Sequence, residues 1–238
     1  SYFVDILDDS IEEKIMRTTQ PEYDKLKDVN RETVIALNKF LRDIRNMNLS
    51  DDATIAKYIK DNKYKEVMIK ILEMLPEYFF EVAASSTGKY HPSYALGNGG
   101  LIRHSKAACR IGYELLSNPI IGDKYTDREK DLMLISLLVH DGLKLGINRE
   151  RYTRFDHPIL MGNFIVDNYL EIGLSLEDAE FCRDVIKTHM GPWNKDYNGE
   201  EVLEKPHTKY QNFVHMCDYL ASRKVLNVEF DKDNNIID

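Results

Sequence analysis

The chain has 238 residues, 43% of them apolar, 30% charged and 10% aromatic, a globular composition that excludes a disordered, collagen-like or low-complexity polypeptide. Thirty-two Lys and Arg against forty Asp and Glu give a net charge of −8, so the overall field repels polyanions and long duplex nucleic acid is not an expected partner. No apolar run reaches the roughly 18 residues a bilayer span needs, and the start Ser1-Tyr2-Phe3-Val4-Asp5-Ile6 lacks the order of a signal peptide; the expectation is a cytoplasmic protein without a membrane partner.

Apolar residues recur at three and four rather than at two, and Pro and Gly leave long stretches unpunctuated, so the predicted fold class is all-α. Residues 21–47 read as a helix opened by Pro21, with a stripe from Leu26 to Ile44. Asp51 and Asp52 are candidate caps for a short helix over 53–60, and a longer helix is predicted over 63–80. Segment 1–84 is therefore predicted to be an N-terminal helical subdomain. The stretch 83–92 and the later Gly97-Asn98-Gly99-Gly100 carry turn chemistry, and read as an interdomain joint or a loop lining a site. Helices follow at about 101–117, 127–140, 157–171, 176–188 and 207–225, and the tail Val225-Leu226-Asn227-Val228-Glu229-Phe230, followed by residues 231–235 and Ile236-Ile237, suggests a small hairpin. Cys109, Cys182 and Cys217 lie far apart in apolar helical contexts and read as buried free thiols.

The histidines carry the chemistry. Five of the seven, His104, His140, His157, His189 and His207, fall at or near predicted helix boundaries. His140 follows the apolar run Leu134-Ile135-Ser136-Leu137-Leu138-Val139 and is followed at once by Asp141. A buried imidazole beside a buried carboxylate is costly unless something compensates both. A divalent cation does so while keeping His neutral and Asp ionised; mutual or backbone hydrogen bonding is the other reading. His104 and Asp218 are further polar intrusions on apolar helix faces.

Taken in order, His104, the pair His140-Asp141 and the late Asp218 resemble the signature of the HD-domain superfamily of metal-dependent phosphohydrolases, over about residues 85–225. The resemblance implies an HD-type helical core, taken here as 85–238, that brings these residues to a divalent ion. His157 and His189 fall where binuclear branches supply two more histidines. It then implies one metal on His104, His140 and Asp218 and a second on His157 and His189, with Asp141 bridging. Lys144 completes His-Asp-x-x-Lys, as in several phosphodiesterase branches, and would meet a substrate phosphate. Gly99-Gly100-Leu101-Ile102-Arg103-His104 is similar to the Gly-Gly-Leu-x-x-His entry of a bacterial 3′-to-5′ exoribonuclease branch. Imidazole and carboxylate without thiolate suit one or two ions of Mn, Fe, Ni, Zn or Mg. Two such ions about 3.5–4 Å apart acidify water and clamp the entering and leaving oxygens of a displacement at phosphorus.

The implied activity is hydrolysis of a phosphoester in a nucleotide or short oligonucleotide, with Asp141 and Lys144 in catalytic roles. Lys144, Arg103, His91 and Trp193 are the candidate substrate contacts, with Lys106 and Lys187 near the same mouth. Trp193, the single tryptophan, and Tyr90 and Tyr94 offer planes on which a base stacks. Each role has a plainer counterpart: His157 as a helix-start residue, His189 as a cation favoured at a helix C-terminus, Trp193 as loop packing. His207 and His215 read as structural, and Arg223 as facing either the pocket or solvent. The competing function is a non-catalytic HD scaffold that binds a nucleotide as a sensor or serves as an interaction protein. Phosphate-loop, nucleophile-elbow, His-Glu-x-x-His and Cys-x-x-Cys patterns are absent from the sequence.

Overall fold

The computed structural model describes residues 52–85, 87–226, 229–232 and 236–237, which belong to one compact unit spanning 50–238. The helix predicted over 21–47 and the cap Asp51 lie outside the described residues. The fold is all-α, apart from an isolated bridge between Lys195 and Glu201 and one two-residue strand pair. In that pair Glu229 faces Ile237 and Phe230 faces Ile236, the hairpin the tail suggested.

The expected boundary at residue 84 gives way to a shared core. A 3-10 turn, Asp52–Tyr58, stands where a short α-helix was expected and is followed by the buried Ile59. Asp61 then caps helix α1 (Asn62–Met74) by accepting from Lys63 N at 2.8 Å. Tyr64, Val67, Met68, Ile71 and Leu72 of α1 belong to the same apolar cluster as Leu101, Leu137 and Val214. The physical reason is a stripe too wide to stay solvated: α1 has to bury it, and it does so partly against the central helix.

The predicted helix over 63–80 breaks in two. Leu75 is extended (ψ 148°) because it precedes Pro76, which disfavours helical backbone in its predecessor, and α2 (Tyr78–Glu81) begins after it. The break places Tyr78 so that its hydroxyl donates to Gly146 O (2.7 Å) and accepts from Leu145 N (3.1 Å). Tyr78 thus pins the turn that follows Asp141.

Helix α3 (Gly100–Ser117) buries Leu101, His104, Ser105, Ala108, Cys109 and Gly112 along one face. A single turn, α4 (Pro119–Gly122), leads to α5 (Asp127–Val139), started by a reciprocal cap in which Thr126 and Glu129 bond each other's backbone N–H. Every residue of α5 from Asp131 to Val139 is buried, as expected of a helix apolar on all sides. It packs against α1, α3, and the later α8 and α9. Asp131 accepts from Lys60 N and Asp61 N, both at 2.8 Å, which fixes the start of α1 to it.

The helix expected over 157–171 is α6 (His157–Asp167) and a separate turn α7 (Tyr169–Ile172), broken at Asn168, whose side-chain amide donates to Phe164 O at 2.7 Å. Helix α8 (Leu176–Ile186), capped by Ser175, lies on α6 and α5. Helix α9 (Lys209–Ala221), with a second reciprocal cap from Thr208 and Gln211, closes the bundle against α3, α5 and α8. Among the described residues no helix is long and apolar enough to cross a membrane. Cys109, Cys182 and Cys217 are buried and free; burial pushes the Cys109 and Cys182 thiols up to about 12.

Candidate metal centre

Six residues from five elements meet at one end of the central helix. His104 comes from the inner face of α3, His140 and Asp141 leave the C-terminus of α5, and His157 opens α6. His189 lies in the turn after α8, and Asp218 in the last turn of α9. The histidines and Asp141 are at most 2% exposed. Asp218 keeps 16% of its side chain open.

The contacts form a chain of acceptors. His104 Nε2 and His140 Nε2 approach Asp218 Oδ1 at 2.9 and 3.3 Å. On the other side Asp141 Oδ1 lies 3.0 Å from His157 Nε2 and 3.6 Å from His189 Nε2, and those two nitrogens are 3.3 Å apart. Asp141 Oδ2 is 3.7 Å from His140 Nε2 and 4.0 Å from His104 Nε2. It also takes the Lys144 ammonium at 2.6 Å.

One local device orients three of the rings. His140, His157 and His189 each donate Nδ1–H to the carbonyl three residues earlier, Leu137 O (2.7 Å), Arg154 O (2.7 Å) and Ile186 O (2.8 Å). A carbonyl only accepts, so Nδ1 carries the proton and a neutral ring turns its Nε2 lone pair inward. Arg154 is held by Asp156 through two bonds of 2.8 Å, which fixes the turn before His157. Behind His189, His215 Nδ1 donates to the His189 carbonyl at 2.6 Å. The His215 ring fills the space beside Gly191, where a Cβ would stand 2.1 Å from the ring; with φ +60° that position also requires glycine's freedom.

Charge follows the same geometry. Burial alone would raise both carboxyls, but the Lys144 ammonium and His140 hold Asp141 well below the carboxylate range, and His140 and His104 do so for Asp218. Burial pulls His140 down, yet Asp141 and Asp218 outweigh it and raise the ring to about 9. His157 is lowered, chiefly by burial and against the pull of Asp141.

These observations test whether a cation fits. A neutral His157 offers Asp141 Oδ1 no proton, although they are 3.0 Å apart, and Asp141 Oδ1 has no hydrogen-bond partner. His140 Nε2 is likewise buried without one, and the raised pKa of its ring reflects the same surplus of negative charge from Asp141 and Asp218, which calls for a positive charge at this point. Acceptors converging with too few protons are costly in a dry interior, and a divalent cation removes the cost. Among the described residues, compact donor sets that could hold one include His104 with His140 and Asp218, and His140 with Asp141 and His189. Buried His and Asp groups are thus arranged to hold a metal ion. The first set is the expected one. At the other side the residues expected for a second ion, His157, His189 and Asp141, also converge, with His157 Nε2, His189 Nε2 and Asp141 Oδ1 within 3.6 Å of one another, while His140 reaches toward both carboxylates.

No family model, curated protein or solved structure matches the chain.

The remaining candidates divide. His91 lies beside the centre, its ring 5.8 Å from that of His104, and burial, then the charges of His104 and Lys144, lower it to about 4. Lys144 is seated on Asp141. Arg103, expected to meet substrate, is turned away: Nε donates to Tyr94 O (2.6 Å), Nη1 to Asn98 O and Nη2 to Leu96 O (both 2.8 Å). These carbonyls belong to the glycine-bearing loop, which carries the short 3-10 turn Ser93–Ala95, and the guanidinium ties them together. Lys187 is paired with Asp184 and Glu204. Trp193 is 47% exposed and stacks on Tyr219. Sequence reasoning missed Tyr78, Tyr219 and the positioning part of His215; the signals were the adjacency of Tyr219 to Asp218 and of Gly191 to His189.

Proposed function

We propose that the chain is a divalent-metal-dependent phosphohydrolase of the HD type, acting on a nucleotide or short oligonucleotide. The observation that carries the reading is the convergence of His157 Nε2, His189 Nε2 and the unpartnered Asp141 Oδ1 within 3.6 Å of one another, with each Nδ1 proton already donated to backbone. His104, His140 and Asp218 would hold one ion, and His157, His189 and Asp141 the neighbouring one. A divalent ion there supplies Lewis acidity at phosphorus and lowers the pKa of water. The protein's own groups do the rest. Asp141 and Asp218 stay ionised at neutral pH, the backbone carbonyls of Leu137, Arg154 and Ile186 keep the lone pairs inward, and the apolar ends of α3, α5 and α6 exclude bulk water. Lys144, at the rim with 17% of its side chain open, exchanges Asp141 for a substrate phosphoryl oxygen. A cytoplasmic setting belongs to the proposal and is supported by the three buried free thiols.

One observation favours a second reading, a non-catalytic scaffold that binds a nucleotide: the Lys144 ammonium already neutralises Asp141 Oδ2, as a fixed internal cation would. The test is hydrolysis of a phosphodiester reporter and a nucleotide panel by the purified chain before and after chelation. Metal-restored turnover that is abolished by Asp141→Asn supports the hydrolase. A nucleotide complex without turnover under any divalent ion supports the scaffold.

A further inference from the structure

Beside the metal-binding residues, three segments bring together Tyr90, Trp193, Tyr219 and Arg223. The Trp193 and Tyr219 rings stack, with centroids 5.7 Å apart and planes at 10°. The Arg223 guanidinium carbon lies 4.5 Å from the Tyr219 centroid, 5.0 Å from Trp193 and 5.4 Å from Tyr90. Each segment reaches the cluster directly from the metal centre. Tyr90 precedes His91, whose ring abuts His104; Tyr219 follows Asp218; Trp193 lies one short turn past His189. Cross-links fix the assembly: Lys224 N donates to Tyr90 O at 3.0 Å, and the Tyr94 hydroxyl donates to Ala221 O at 2.8 Å.

Arg223 is the odd member. Its Nε is buried without a hydrogen-bond partner, and among the described residues no carboxylate pairs with it. Aromatic rings hold the cation in place without satisfying its N–H donors. A guanidinium fixed in this way, next to a site rich in carboxylates yet unpaired with any, is suited to a planar or tetrahedral anion. Tyr90 and Trp193 are 53% and 47% exposed, so aromatic surface remains open around it.

We propose that this cluster is a binding subsite for an aromatic ring that carries a phosphate, the chemistry of a nucleoside monophosphate unit. Arg223 takes the phosphate oxygens, and the exposed rings of Trp193 and Tyr90 take the base. The proposal deepens the phosphohydrolase reading and rests on it for what happens to the ligand, but binding itself requires no metal.

Trp193 is the single tryptophan, so its emission reports this subsite alone. The full chain, stripped of divalent ions by chelation, is titrated with adenosine monophosphate, with inorganic phosphate and with adenosine. The expected result is saturable change of the Trp193 emission by the nucleotide, with affinity at least about tenfold above either fragment. Arg223→Gln is expected to weaken it about tenfold, the scale of one charge-assisted hydrogen bond. Tyr90→Ala, at an exposed position that the fold tolerates, is expected to weaken it severalfold and serves if Arg223→Gln fails to fold. Unchanged emission on nucleotide addition, or a folded variant that binds as the parent does, overturns the subsite. Calorimetric metal titration of the same samples separates the two ideas. Metal uptake and turnover without a nucleotide response sink the subsite alone, whereas a nucleotide response without metal uptake leaves the subsite and sinks the phosphohydrolase.

Discussion

Asp141→Asn separates the electrostatic and metal-binding roles of the centre. The Asp141 carboxylate faces the Lys144 ammonium at 2.6 Å and His140 at 3.7 Å, both on the Oδ2 side, and His157 and His189 on the Oδ1 side. Breaking a buried ion pair costs about 3–5 kcal/mol; Lys144 is near enough to solvent to swing outward, so the chelated variant is expected to lose about 2–3 kcal/mol. The variant also loses its metal response. A ligand at 100 times its Kd stabilises the folded state by about 2.7 kcal/mol. For a unit of this size that is about 5–10 °C in Tm. Scanning calorimetry of chelated protein with increasing Mn²⁺ is the assay. The parent is expected to rise by that amount and the variant by less than about 2 °C, the residue of the set formed by His104, His140 and Asp218. A variant that gains as much as the parent would refute the role assigned to Asp141, and a parent that gains nothing would refute the cation argument itself.

Two further outcomes are open to measurement. Asp178 joins α1, α5 and α8 through Arg128 (Nε at 2.7 Å) and the Tyr64 hydroxyl (3.0 Å). Burial raises its pKa, but bonds from Ser175, Tyr64 and Arg128 bring it below the ordinary value, so its stabilisation is present above the unfolded carboxyl pKa of about 3.9 and lost as pH falls through the lower folded value. Asp178→Asn is expected to cost about 1–2 kcal/mol at pH 7, the low range for a pair whose Arg is solvent-accessible, and to flatten the acid limb of a urea-melt series; an unchanged acid limb contradicts the assignment. Gly191→Ala forces a Cβ against His215 and a left-handed backbone, costing about 1–2 kcal/mol in backbone strain alone, and is expected to shift His189 and weaken Mn²⁺ binding at least tenfold while helicity persists; calorimetric titration with parent-like affinity would contradict the support given to His189.

The sequence showed some of this more plainly than the rest. The apolar run before His140 announced a central helix, and α5 is buried along its length. Its consequence, a His and an Asp delivered side by side into the interior, was legible for the same reason, and the order of His104, His140-Asp141 and Asp218 was enough to nominate residues that the fold brings together. Pro76 carried its own signal, yet the apolar period runs through it, and only the backbone shows that the chain turns there and sets Tyr78 against Gly146. The boundary at 84 was misplaced because glycine-rich loops look alike whether they separate domains or fold back on one, and Arg103 holds this loop in place. Ring orientation lay beyond reach of the sequence, since the i−3 carbonyls that fix His140, His157 and His189 exist only once the helix ends are formed. Arg223 was ambiguous because nothing local distinguishes a solvated arginine from one held by three separate segments.

The most direct test of the metal centre is a diffraction experiment on crystals of the chain equilibrated with Mn²⁺, recorded where manganese scatters anomalously. The account predicts one or two anomalous peaks, each within about 2.4 Å of Nε2 or carboxylate oxygens drawn from His104, His140, Asp141, His157, His189 and Asp218. A map with no peak there, or with manganese only at surface carboxylates while Lys144 remains on Asp141, would contradict it.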